Sequence, residues 1–71
     1  MIPADVNNLR ELRIKKGMSL EQVAEKLGIS FGYVSLLERG LRGMSADRMV
    51  EFSKLYGVTL NDIQKLRENI K

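Results

Sequence analysis

Apolar residues recur along this chain at intervals of three and four, which is the spacing of one face of an α-helix. Glycine and hydroxyl residues interrupt this spacing, and such residues commonly end one helix and begin the next. No stretch shows the apolar and polar alternation that is typical of a strand. The pattern therefore predicts an all-α chain with five helices.

The first predicted helix runs from the region of Asp5 to Lys16, where Gly17 suits a left-handed residue after the helix end. Its apolar stripe is expected to face the interior of the domain. The stripe consists of Val6, Leu9, Leu12 and Ile14.

The second and third predicted helices are close together in the sequence. Ser19 and Gln22 have the spacing of a capping box, and Gly28 ends the second helix. Ser30 is expected to cap the third helix, which closes at Gly40. Three residues, one of them a glycine, separate the two helices, an arrangement typical of a helix-turn-helix. The predicted buried residues are Leu20, Val23, Ala24, Leu27, Val34 and Leu37.

The fourth predicted helix begins after Ser45 and ends at Gly57, and Thr59 opens the fifth. Residues 41–44 before Ser45 are predicted to form an exposed loop. The apolar positions of these two helices are Met49, Val50, Phe52, Tyr56, Leu60, Ile63 and Leu66.

Composition narrows the classes of function. The 71 residues contain no Cys and no His, which removes disulfides, thiolate nucleophiles, the usual general base and most metal sites. A chain of this length needs nearly all its apolar side chains for one core, so we predict a single domain over residues 1–71. No catalytic residue, metal site or cofactor is expected.

Charge and hydropathy indicate the surroundings in which the chain works. Twelve Lys and Arg against nine Asp and Glu give a net charge of +3, which is compatible with a polyanionic partner. No apolar run is long enough to span a bilayer, and the first residues lack the pattern of a secretion signal. We expect a cytoplasmic protein that makes no membrane contact.

Motifs in several segments follow one another in an order that resembles the Xre, or Cro/CI-type, helix-turn-helix family of bacterial and phage regulators. The resemblance covers about residues 6–66. It implies a compact five-helix domain of the lambda-repressor-like type, with the helix-turn-helix at about residues 20–39. The segments that carry it are 9–13 (LRELR), 23–30 (VAEKLGIS), 33–40 (YVSLLERG) and 57–63 (GVTLNDI).

The resemblance also implies how the chain would meet double-stranded DNA. In such proteins the third helix lies in the major groove and the second crosses the sugar-phosphate backbone. The family pairs Arg13 with Glu38 in a partly buried ion pair that ties the first helix to the third. The residues implied to face bases are Phe31, Gly32, Tyr33, Ser35 and Leu36. Those implied to contact phosphates are Ser19, Leu20, Gln22, Ser30, Arg39 and Arg42.

The base-facing positions depart from the family's usual side chains. Phe31, Gly32 and Leu36 stand where the family usually has Gln, Arg, Lys, Asn, Ser or Thr. Base recognition is therefore expected to use thymine methyl groups and DNA shape instead of bidentate hydrogen bonds. An exposed Phe31 and Leu36 also suit an apolar protein-binding surface, so a protein-interaction module remains an alternative.

The function expected from these features is that of a small dimeric repressor or autoregulator on a pseudo-palindromic operator. Residues 40–47 also resemble the start of the fourth helix in antitoxins of the HigA group, which leaves an antitoxin as an alternative. A toxin or an antirepressor is accordingly a possible protein partner beside DNA. The predicted dimer interface lies at the last helix and the turn before it, and core membership is the alternative for its residues. These residues are Tyr56, Val58, Leu60, Ile63 and Ile70.

Overall fold

A computed structural model describes residues 2–68, and within this range it contains five α-helices and no strand. The predicted all-α architecture with five helices is confirmed. The elements in chain order are α1 (Leu9–Lys15), α2 (Leu20–Leu27), α3 (Phe31–Glu38), α4 (Ala46–Tyr56) and α5 (Leu60–Glu68).

The predicted capping residues begin their helices as expected. The Ser19 Oγ accepts a hydrogen bond from the Gln22 backbone N at 3.0 Å, and the Gln22 side chain accepts one from the Ser19 N at 2.8 Å. Ser30 and Ser45 cap α3 and α4 in the same way through their hydroxyl oxygens. Each cap satisfies backbone N–H groups that have no partner inside the helix.

A second capping box, which was not predicted, opens α5. The Thr59 Oγ1 accepts from the Asp62 N, and the Asp62 carboxylate accepts from the Thr59 N, both at 3.1 Å. The backbone hydrogen bond from Thr59 lowers the pKa of Asp62 below its ordinary value. The start of α5 is therefore fixed by two side chains, one from the residue before the helix and one from its first turn.

The predicted start and stripe of α1 need two corrections. The helix begins at Leu9, later than expected, because the Asn8 side chain accepts a hydrogen bond from the Glu11 N and caps it. Ile14 is 50% exposed, so its assignment to the buried stripe is wrong. It follows Leu12 by two residues, which places the two side chains about 200° apart around the helix.

The core gathers apolar side chains from all five helices. Its largest members are Phe52 and Tyr56 of α4, whose ring centroids lie 5.8 Å apart. Met44 also belongs to this core, which corrects the prediction that the whole 41–44 loop is exposed. The remaining buried apolar residues are Val6, Leu9, Leu12, Val23, Ala24, Val34, Leu37, Val58, Ile63 and Leu66.

The predicted dimer interface is wrong at three of its positions. Tyr56, Val58 and Ile63 are buried in the core of one chain, so their side chains are not available to a second copy. Leu60 is 46% exposed and is the predicted interface residue that lies on the surface. Ile70 lies outside the described residues. The alternative of core membership is therefore correct for the three buried positions.

Candidate nucleic-acid interface

α2 and α3 are joined by a turn whose geometry is set by hydrogen bonds to the end of α2. Gly28 has a φ of +70°, a conformation that glycine adopts without steric cost. Its N–H donates to the Glu25 carbonyl, and the Ile29 N–H donates to the Ala24 carbonyl at 3.0 Å. This pair of bonds is a Schellman motif, which ends α2 and directs the chain into α3.

α3 presents two different sides. The inner side consists of Val34, Leu37 and Glu38, all of which are buried. The outer side carries the residues predicted to face bases, which are exposed or half-buried, and Phe31 at its start is 57% exposed. The outer side consists of Phe31, Gly32, Tyr33, Ser35 and Leu36.

The inner side of α3 is tied to α1 by a buried ion pair. The Arg13 Nε lies 2.7 Å from the Glu38 Oε2, and the Arg13 Nη2 donates to the Glu38 Oε1 at 3.3 Å. The Arg13 Nη1 donates to the Met18 carbonyl in the loop before α2. The guanidinium therefore joins α1, the start of the helix-turn-helix and α3 in one network.

The Tyr56 hydroxyl lies in the electrostatic field of this ion pair. Burial raises the pKa of Tyr56, the carboxylate of Glu38 raises it further, and the cation of Arg13 opposes both effects. Within the described residues the hydroxyl is buried without a hydrogen-bond partner. It is therefore a polar group that the core encloses without compensation.

Tyr33 of the outer side contacts a cationic side chain of α4. The Arg48 guanidinium lies 5.8 Å from the centroid of the Tyr33 ring, a cation–π distance. Arg48 also forms an ion pair with Glu51 one turn later, with an N–O distance of 2.6 Å. Tyr33 is half-buried, and the Arg48 contact joins the start of α3 to α4.

The hydroxyl and amide residues predicted to contact phosphates are exposed, and all of them already act as caps. Ser19 and Ser30 use an oxygen lone pair for this purpose, and each hydroxyl retains a proton to donate. Gln22 uses its side-chain oxygen, which leaves its NH₂ group available. Capping and phosphate binding are therefore chemically compatible at the start of both helices.

Cationic side chains follow the end of α3. Arg39 and Arg42 are exposed, and neither forms an ion pair with another residue of the described part of the chain. Leu20, the remaining residue predicted near a phosphate, is half-buried at the first position of α2. Arg39 and Leu20 line the same opening.

This opening is a cleft of about 150 Å³ between α1, α2 and α3. Its walls include Leu20, Ser35 and Arg39, which were all predicted to contact DNA. Its α1 wall includes Arg10, which the sequence analysis did not select. The signal was present, because Arg10 precedes Arg13 by three residues and so shares the helix face that turns towards α3.

Comparison with known proteins identifies relatives of this chain. The family model described as "Helix-turn-helix" matches residues 9–63. The HTH-type transcriptional regulator DdrOP3 of Deinococcus deserti is 38% identical over 55 residues, which are 78% of this chain and 43% of that protein. An uncharacterized HTH-type transcriptional regulator of Sinorhizobium fredii, y4dJ, is 36% identical over 53 residues, covering 75% of this chain and 69% of its own.

A third relative is much longer than this chain. The propionyl-CoA carboxylase regulator of Cereibacter sphaeroides is 38% identical over 58 residues, which are 82% of this chain and 12% of that protein. This chain therefore spans less than half the length of two of the three curated relatives described. No solved structure matches it. No helix within residues 2–68 is long and apolar enough to cross a membrane.

Proposed function

This chain belongs to the Xre, or Cro/CI-type, family of helix-turn-helix transcriptional regulators, and we propose that it binds a specific duplex DNA sequence through the outer side of α3. The observation that carries the proposal is the division of α3 into two sides. The inner side is anchored by the core and by the Arg13–Glu38 pair, and the outer side remains exposed. A helix anchored in this way enters a groove without losing its own support.

The dimensions of α3 suit the major groove. An α-helix with its side chains is about 10 to 12 Å across, and the major groove is about 12 Å wide, so the eight residues of α3 fit within it. Residues at the start of such a helix meet the base edges, which is where Phe31 and Gly32 lie. Phe31 offers an apolar contact to a thymine methyl group, and Gly32 lets the α3 backbone approach the bases closely.

Phosphate contacts hold the protein in register on the duplex. Ser19 and Gln22 at the start of α2, and Ser30 at the start of α3, lie beside N–H groups at the positive ends of their helix dipoles. Arg39 and Arg42 supply full positive charges after α3. These contacts carry no base information, so the sequence preference comes from the outer side of α3.

Two copies are needed to fill a palindromic site. The domain measures 28 × 24 × 22 Å, whereas successive major grooves on one side of the duplex are about 34 Å apart. One chain therefore reaches a single half-site, and a homodimer places α3 in two grooves. We propose that such a dimer represses transcription, including that of its own gene, by covering a promoter.

The test begins with selection of bound sequences from a random duplex pool, followed by affinity measurements between 50 and 200 mM salt. Affinity should fall steeply with salt, because each phosphate neutralised by the protein contributes about 0.9 to the slope of log affinity against log salt. Arg42→Ala should lower the slope for all duplexes alike. The matched control is Lys54→Ala, which removes an exposed positive charge from α4.

The exposure of Phe31 favours a second candidate, in which the outer side of α3 binds an apolar protein surface. This candidate predicts no selected duplex and an interaction that changes little between 50 and 200 mM salt, because apolar contacts are not screened. Recovery of a consensus duplex whose binding requires Phe31 would exclude it as the main function. Sedimentation of the selected complex then counts the copies on each site, and a single copy would contradict the dimer.

A further inference from the structure

We propose that Arg10 of α1 contacts DNA directly, by binding a backbone phosphate jointly with Arg39 across the cleft between α1 and α3. This inference rests on the proposed function and adds to it a contact from a helix outside the helix-turn-helix. The side chains that line the cleft supply the positive charge for this contact.

The charges at the cleft do not cancel. Its walls include three arginines and one glutamate, namely Arg10, Arg13, Arg39 and Glu38. Both carboxylate oxygens of Glu38 accept hydrogen bonds from Arg13, so the buried pair is internally neutral and its acceptor atoms are engaged. The two remaining arginines leave the cleft with an excess of two positive charges.

These two arginines are available to a ligand. Arg10 and Arg39 are exposed, and neither makes an ion pair or side-chain hydrogen bond with any residue of the range 2–68. Arginine presents its N–H donors in a planar fork that matches two oxygens of a phosphate. Both side chains line the same cleft, so two such forks provide donors for one shared anion in the proposed contact.

The cleft has room for that anion. Its volume of about 150 Å³ is many times the roughly 10 to 15 Å³ that one water needs on the same measure, which accommodates the oxygens of a phosphate group. Its lining includes Leu20 and Ser35, residues of the surface that faces the duplex in the proposed complex. The cleft and the proposed DNA-facing surface therefore share residues, which is what a phosphate contact at Arg10 and Arg39 requires.

The experiment measures affinity and salt slope for the selected duplex with Arg10→Ala, Arg39→Ala, the double variant and the control Lys54→Ala. Arg10→Ala should weaken binding about tenfold on every duplex sequence, the loss expected for one charge-assisted hydrogen bond. Lys54→Ala should weaken it less than about threefold, since that charge is not at the cleft. Thermal unfolding should be unchanged in Arg10→Ala, because the Arg10 side chain makes no internal hydrogen bond among the described residues.

The double variant tests whether one phosphate is shared. Loss of a single neutralised phosphate lowers the salt slope by about 0.9, whereas loss of two separate phosphates lowers it by about twice that amount. A fall near 0.9 supports the shared contact, and a fall near twice this value overturns it. Replacing single phosphates of the duplex by neutral methylphosphonates should locate one position at which Arg10→Ala has no further effect.

Failure of this inference differs from failure of the proposed function. If the wild type binds the duplex and Arg10→Ala lowers the affinity no more than Lys54→Ala does, the α1 contact is overturned and the regulator function stands. Absence of any duplex binding by the wild type removes both. Inorganic phosphate serves as a further probe: if it shifts the Arg10 side-chain NMR signals and the duplex does not, the cleft binds a free anion and the DNA contact is overturned.

Discussion

Val34 and Leu37, on the inner side of α3, are almost completely buried, whereas Phe31, on the outer side, exposes more than half of its surface. The two sides belong to one helix of eight residues, yet different forces select their side chains. Packing and the Arg13–Glu38 pair determine the inner side. Phe31 makes no internal contact of comparable extent, so packing does not determine the residue type at this position. A ligand of the outer side can determine it instead. Substitutions on the two sides should therefore separate loss of folding from loss of binding.

The largest loss of stability is expected on replacement of Glu38, the charged residue of the inner side. Glu38→Ala leaves the buried guanidinium of Arg13 without its partner and should lower the free energy of unfolding by about 3 to 5 kcal/mol. That loss approaches the whole stability of a small domain. Urea unfolding monitored by circular dichroism measures it, and the double variant Arg13→Met with Glu38→Leu should recover most of the loss. A loss below 1 kcal/mol would show that the pair does not fix the inner side.

The next effect compares two neighbouring leucines of α3. Leu37→Ala removes a buried side chain and should cost about 2 to 5 kcal/mol in unfolding free energy. Leu36→Ala, at a half-buried position of the outer side, should cost less than about 1 kcal/mol and change which duplexes are preferred. Chemical unfolding and selection from a duplex pool measure the two outcomes. Equal stability losses at both positions would remove the distinction between the sides.

A smaller change in stability is expected at Tyr56, whose hydroxyl lies in the electrostatic field of the ion pair. Tyr56→Phe removes a hydroxyl that is buried without a hydrogen-bond partner among the described residues, so stability should rise by up to about 1 kcal/mol. The measurement is the midpoint of thermal unfolding, with Tyr33→Phe as the matched control at a half-buried position. A clear loss of stability in Tyr56→Phe would show that the hydroxyl is compensated.

The smallest effect on stability is expected at the exposed end of the outer side. Phe31→Ala should change the unfolding free energy by less than about 0.5 kcal/mol, because the ring is largely in solvent. The same change should remove the preference for one base pair of the selected duplex, which is worth about 1 to 3 kcal/mol in binding. Competition between matched and mismatched duplexes tests this. An unchanged preference would place Phe31 away from the bases.

The helices of this chain were predictable because their signals are local. Ser19, Ser30 and Ser45 begin α2, α3 and α4, and Gly28 ends α2 in the conformation that its residue type favours. Such caps involve residues within four positions of one another, so the sequence contains the whole interaction. The order of the helices could therefore be predicted from the sequence alone.

Burial was less predictable, because it depends on residues distant in the sequence. An apolar side chain suits a core and an interface equally, so the sequence did not assign Val58 and Ile63 to one of them. Met44 was placed on the surface since a loop has no periodicity that indicates which way a side chain points. The cleft joins Arg10 to Arg39 across 29 positions and follows only from the tertiary arrangement of α1, α2 and α3.

The ion pair between α1 and α3 spans 25 positions of sequence, and this has a consequence for how small a working unit can be. A synthetic peptide that contains only residues 19–40 would keep the caps of both helices and lose the guanidinium that neutralises Glu38. The Glu38 carboxylate, on the inner side of α3, would then be unpaired, and the core that supports this side would be lost as well. The excised hairpin should therefore be a poor starting point for a minimal DNA-binding reagent, and any shortened version has to begin before Leu9.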